Sequence, residues 1–126
     1  MYNLVDTIAR IKNAYKRGKL EVEVKNSSFI RGVLDCLIKE GYIRGYYKRG
    51  WLLIVLLKYK ENKSVINKLK MISKPSLKVY LSFNKLKQSY FKGEYFVVSS
   101  SEGIFLNKEC SYKEEGPGGL VLFEIN

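Results

Sequence analysis

The residues with the most chemistry to offer lie at Ser99, Ser100 and Ser101, led in by Phe96-Val97-Val98 and followed by Glu102-Gly103. Consecutive hydroxyls at the tip of an apolar strand can donate to phosphate, ribose or a base edge at close range. Taken alone, they fit a plain polar turn equally well. Cations and an aromatic elsewhere extend the same chemistry. Lys74, Lys78 and Tyr80 surround a bend at Pro75, and a tyrosine there could stack on a splayed base or simply pack in a strand. Arg10, Lys12 and Asn13 fall within a first helical segment. Ser28 and Arg31 open a second one, whose leading amides can face a phosphate. For each cation the competing reading is ordinary solvated charge.

Acid–base chemistry has little to work with. The chain has no histidine, so the commonest general base and metal ligand is missing. Glu21 and Glu23 share one face of an alternating segment and read as a solvated pair. Glu114-Glu115 precede Gly116-Pro117-Gly118-Gly119, which lacks the Lys-Ser/Thr and the following helix of a phosphate-binding loop. Cys36 and Cys110 are too few and too far apart for a zinc site or a disulfide framework, and Cys36 falls on an apolar stripe. The expectation is therefore a non-enzyme with no cofactor, no metal and no small-molecule substrate.

Composition points to the partner. Lys and Arg number 23 against 12 Asp and Glu, a net charge of +11 over 126 residues. An excess of this size favours a polyanion, with nucleic acid foremost. The longest apolar run, Trp51–Leu57, falls far short of the roughly 20 residues that span a bilayer, and no secretory or transit pattern is visible. No membrane partner is expected.

The elements that must position these groups follow from periodicity. Leu4, Ile8, Ile11 and Tyr15, with Val5, predict an amphipathic helix with Asp6 in its first turn and Gly18 as its stop. Leu20–Val24 alternates as a strand. Asn26-Ser27-Ser28 offers N-caps for a helix over 28–40, closed by Gly41. Tyr42–Lys48 and Trp51–Tyr59 flank Arg49-Gly50 as a hairpin. The polar stretch Glu61-Asn62-Lys63-Ser64 is the candidate boundary. Beyond it, strands are expected over Val65–Ser73, Leu77–Leu81, Phe96–Ser99 and Leu120–Ile125, an extended segment over Glu102–Asn107, and a short helix over Lys85–Phe91. The fold class is α+β, as two small domains. Residues 1–62 are expected to form an α-β-α-β-β unit, and residues 63–126 a mainly β unit with one short helix, the part to which the resemblance described next assigns RNA binding.

Four collinear segments then resemble the bacterial-type small-subunit ribosomal protein S-eight family. They are Asp6-Thr7-Ile8-Ala9-Arg10-Ile11-Lys12-Asn13; Lys39-Glu40-Gly41-Tyr42-Ile43; Ile72-Ser73-Lys74-Pro75-Ser76-Leu77-Lys78-Val79-Tyr80; and Val97–Gly103 with Gly118-Gly119 before the last strand. The resemblance implies a structural constituent of the ribosome. It would bind the central domain of small-subunit rRNA and support assembly and translation beside neighbouring small-subunit proteins. It also implies that Ser99, Ser100, Ser101 and Tyr80 form the main RNA-reading loop, flanked by Lys74 and Lys78, with Arg10, Lys12 and Asn13 as a second contact region. The chain departs from the family pattern at Ala9, Ser76, Glu102 and Leu120, where threonine, glycine, lysine and glutamate are usual. With a composition rich in Lys, Asn, Ile, Tyr and Phe, these departures suggest an organelle-encoded member on the mitochondrial ribosome; a plastid or an A+T-rich bacterial cytoplasm is the alternative. From another class, the competing function is a basic protein–protein adaptor docking on an acidic partner.

Overall fold

The computed structural model describes residues 2–126 and divides the chain into two units, Met1–Asn67 and Lys68–Asn126. The first opens with helix α1 (Tyr2–Lys16), whose buried stripe is Leu4, Thr7, Ile8, Ile11 and Ala14. Asp6, expected in the first turn, lies one turn further in because the helix begins at Tyr2; it pairs with Arg10 at 3.0 Å instead. The C-terminal carbonyls are closed by Lys19 N–H to Ala14 O (2.9 Å) and Gly18 N–H to Tyr15 O (3.1 Å), a Schellman arrangement. Strand β1 (Glu21–Lys25) follows, with Val24 buried and both glutamates exposed, as alternation requires.

Helix α2 (Ser28–Lys39) is capped by Ser27, whose hydroxyl accepts the Ile30 N–H at 3.1 Å. Its buried face is Ile30, Val33, Leu34, Cys36 and Leu37. Truncating any of the large ones to alanine would cost about 2–5 kcal/mol. Strands β2 (Ile43–Arg49) and β3 (Leu52–Leu57) form the hairpin. Arg49 pairs with Leu52, so the two-residue turn is Gly50-Trp51 rather than Arg49-Gly50. Gly50 takes φ +60° at the first turn position, the geometry that suits the twist of an antiparallel ribbon. The sheet order is β1-β3-β2, with α1 packed on β1 and α2 on β2. The stretch around Glu61-Asn62 is the tip of a minimal hairpin, β4 (Tyr59–Lys60) and β5 (Lys63–Ser64).

The second unit is an antiparallel sheet with one helix. Strand β6 covers only Leu69–Met71 and β7 only Tyr80–Leu81, both shorter than the sequence suggests. The Pro75 bend occupies more of the chain than its proline alone indicates. Helix α3 (Phe83–Phe91) is capped by the Ser82 hydroxyl, which accepts the Lys85 N–H. Strands β8 (Phe96–Ser100) and β9 (Gly103–Leu106) form a hairpin, a 3-10 helix spans Asn107–Tyr112, and β10 (Gly119–Ile125) completes the sheet. Strand β10 is central: β8 lies along one edge, while β7 and β6 share the other end to end. Phe83, Leu86, Phe96, Val98, Cys110 and Val121 form a core that holds α3 and the 3-10 helix to the sheet.

Candidate nucleic-acid interface

The register of the second sheet decides which side chains can act together. Leu120 of β10 pairs with Tyr80 of β7 on one side and with Ser99 of β8 on the other. Ser99 in turn pairs with Ile104 of β9. Directly paired residues project to the same face, so Tyr80, Leu120 and Ser99 form one transverse row. Two strand spacings separate the ends of the row, about 10 Å. Val98 and Val121, one residue along, point to the opposite face and into the α3 core. Tyr80 is 66% exposed.

Two glycines bring the strands this close. A Cβ on Gly119 would overlap the Ser99 carbonyl oxygen and lie 2.8 Å from Val98 Cγ1. A Cβ on Gly118 would overlap the Leu81 carbonyl oxygen and lie 2.8 Å from Ser82 Cα. Only residues without a side chain let β10 pass between β7 and β8 at this point.

The three serines have different environments. Ser100 donates its hydroxyl to Gly103 O at 3.0 Å and accepts the Glu102 N–H at 3.2 Å, so it builds the turn. Ser99 and Ser101 make no side-chain hydrogen bond among the described residues, and Ser101 is exposed at the tip. Glu102 is exposed beside it. Two hydroxyls are thus available to a ligand, and the middle one is committed to holding them apart.

The Pro75 bend is clamped at its base. Lys74 N–H donates to Leu77 O (2.8 Å), and Leu77 N–H to Lys74 O (3.0 Å). Ser73 is wholly buried and accepts the Val79 N–H at 2.9 Å. Ser76, where glycine is usual, does not take a positive φ, so the substitution is accommodated without strain. Lys74 and Lys78 are exposed at the two ends of the bend. Behind the β8–β9 hairpin, the wholly buried Asn107 accepts the Phe96 N–H (3.0 Å) and donates to Glu94 O (2.8 Å) and Leu86 O (3.3 Å). Sequence reading missed both Ser73 and Asn107 as positioning residues. The available signal was a lone polar residue flanking an apolar run in each case.

The remaining candidates belong to the first unit. Arg10 and Asn13 are exposed and share one stripe of α1. Lys12 is also exposed but lies about 160° around the helix from Arg10, so the fold does not bring those two cations together. Ser28 is the exposed first residue of α2, next to the capping Ser27. Arg31 is exposed and donates to Asn26 Oδ1. At the other end of α1, Tyr15 donates its hydroxyl to Tyr42 O (2.8 Å) and accepts the Lys58 N–H (3.1 Å). Burial pushes its hydroxyl above the ordinary tyrosine range, partly offset by the Lys58 hydrogen bond. Burial likewise raises the Cys110 thiol, and Cys36 is buried as well. Among the described residues, no group of three or more His, Cys, Asp or Glu is placed to hold a metal ion.

Two hydroxyls without a partner among the described residues, an exposed tyrosine and exposed lysines thus lie on and beside one antiparallel sheet, in a strongly basic α+β chain. The chain matches the family Ribosomal protein S8 over residues 3–126, and it belongs to that family. A relative from Mycoplasmopsis pulmonis (strain UAB CTIP) is 36% identical over 97% of this chain and 94% of its own length. One from Ruthia magnifica subsp. Calyptogena magnifica is 36% identical over 97% and 95%. One from Borreliella burgdorferi (strain ZS7) is 34% identical over 95% and 94%. Each bears the name Small ribosomal subunit protein uS8. The family is structural and non-enzymatic, and its members bind small-subunit rRNA and neighbouring ribosomal proteins. That leaves the acidic-partner adaptor without support.

Proposed function

We propose that this chain is a structural constituent of the small ribosomal subunit that binds the central domain of small-subunit rRNA and supports subunit assembly. Family membership supports the reading, and the single structural observation that carries it is the Tyr80–Leu120–Ser99 row. In this reading Tyr80 stacks on an unpaired base, while Ser99 and Ser101 donate to ribose or phosphate across the row. Ser100 shapes the loop. Lys74 and Lys78 neutralise phosphates and displace condensed counterions. The main RNA-binding role falls to the chain beyond residue 62. Arg10, Lys12, Asn13, Ser28 and Arg31 supply a second contact region. Filter binding to a transcript of the central domain tests the assignment: saturable binding is expected, and co-sedimentation with the small subunit should be lost on RNase treatment. Co-sedimentation that survives RNase would sink it.

For the compartment, the composition and the Glu102 and Leu120 departures support a mitochondrial ribosome, with the gene in the organelle. The bacterial sources of the relatives favour a second reading, an A+T-rich bacterial cytoplasm. Sequencing the gene's flanks separates them. Organellar neighbours support the first, and a bacterial ribosomal-protein cluster on a cellular chromosome rules it out.

A further inference from the structure

The turn of the β2–β3 hairpin carries a side chain that the fold does not need. Gly50 supplies the positive φ of the turn, and the position after it has no packing role. Yet it holds Trp51, the chain's one tryptophan, which is 93% exposed. A large aromatic left this open is unusual for its type. Its backbone is held firmly, because Leu52 pairs with Arg49 on one side and with Lys25 on the other. Beside the indole is an open hollow of about 570 Å³ lined by Asn26, Lys48, Gly50 and Trp51. That volume suits a ligand of nucleotide size.

The charges nearest the hollow are mostly cationic, with one carboxylate close by: Asp35, a helical turn on from Arg31, accepts the Tyr46 hydroxyl at 2.8 Å. Lys48 lines the hollow, and Arg31 reaches its rim by donating to Asn26. Arg49 lies over the Tyr47 ring, 5.5 Å from its centroid, and donates to the Tyr47 hydroxyl at 2.7 Å. No carboxylate occurs in the sequence between Gly41 and Lys60. An exposed indole sharing a hollow with a lysine, with an arginine bonded to a third lining residue, can hold an unpaired base while its phosphates are neutralised.

We infer that the β2–β3 turn is an additional RNA contact, in which an unpaired nucleotide stacks on Trp51 and its phosphates meet Lys48 and Arg31. The inference rests on the rRNA-binding reading but uses none of the residues assigned to the second unit. Because Trp51 is the sole tryptophan, selective excitation of indole fluorescence reports on this turn alone. The full chain is titrated with the central-domain transcript, while filter binding follows total affinity. Quenching of Trp51 emission that saturates with binding is expected. Trp51→Ala should weaken affinity about tenfold, and Trp51→Phe, which keeps an aromatic face, by much less. Lys48→Ala should lower the slope of log affinity against log salt by about 0.7. The exposure of Trp51 makes misfolding a poor explanation of any loss, and far-UV circular dichroism checks it. Tight transcript binding with unchanged emission and an unaffected Trp51→Ala variant overturns the inference and leaves the rRNA reading standing. Absence of transcript binding by the wild-type chain removes both. Emission that responds only to RNase-treated ribosomal proteins makes the turn a protein contact and overturns the inference.

Discussion

Tyr80 and Ser99 are not neighbours in sequence or on adjacent strands, yet both are in register with Leu120, which lies between them. The central residue of the row is therefore apolar, where the family pattern has a carboxylate. An aromatic ring, an aliphatic side chain and a hydroxyl make a surface suited to a base and its ribose together.

The environments of the three serines separate binding from stability. Ser99→Ala and Ser101→Ala should each weaken transcript binding by about 1–3 kcal/mol with little change in thermal midpoint. Ser100→Ala, which loses the bonds to Gly103 O and Glu102 N–H, should lower stability by about 1 kcal/mol. Paired filter-binding and melting curves on the three variants check this. Equal behaviour of all three would refute it.

Gly119 has no room for a methyl group. Gly119→Ala places a Cβ against the Ser99 carbonyl and Val98 Cγ1, and backbone cannot rotate away as a side chain can. A loss of at least about 3 kcal/mol is expected in urea unfolding, at the upper end for an overpacked site. A loss under about 1 kcal/mol, within the range of tolerated volume-conserving swaps, would show that β10 can shift relative to β8.

Phosphate contacts should appear as salt dependence. Lys74→Ala and Lys78→Ala should each reduce the salt slope of transcript binding by about 0.7–0.9 without altering the melting temperature. Both lysines are exposed, and neither side chain has a polar partner among the described residues. A slope that stays fixed in both variants would remove the bend from the interface.

Alkaline pH should weaken the first unit in a defined direction. Burial raises the folded-state ionisation of Tyr15 above its ordinary value of about 10, and burial also raises Tyr46 and Tyr59. The unfolded chain then loses these protons first, so it binds fewer protons than the folded chain above that pH. Stability is fully present below about pH 10 and falls as pH rises through the folded-state values. Tyr15→Phe should make the decline shallower while costing about 1 kcal/mol at neutral pH, from the bonds to Tyr42 and Lys58. Urea titrations between neutral and alkaline pH measure both effects.

Much of this fold was legible because it is local. The α1 and α2 stripes, the Ser27 cap and the β1 alternation each depend on residues within a few positions of one another. The 3-10 helix over Asn107–Tyr112 was not, since Asn-Lys-Glu-Cys-Ser-Tyr has neither a helical nor a strand period. The one-residue error at the first hairpin arose because Arg-Gly and Gly-Trp both make acceptable turns; the Arg49–Leu52 pairing decides between them. At the site, residue types were readable but roles were not. Nothing in Ser-Ser-Ser says that the middle hydroxyl faces Gly103 O, and nothing near Tyr80 says that Leu120 will lie beside it. Those facts come from long-range register.

The central place of β10 also sets an order of events during synthesis. Tyr80 and Ser99 are both translated before residues 119–125, so a nascent chain carries the proposed RNA-contacting side chains without the strand that aligns them. A chain released after Ser101 would present the same hydroxyls and the same aromatic with no common frame. RNA affinity should therefore arise late and abruptly as the polypeptide lengthens, with the passage through Gly118-Gly119 as the step that turns scattered contacts into one surface.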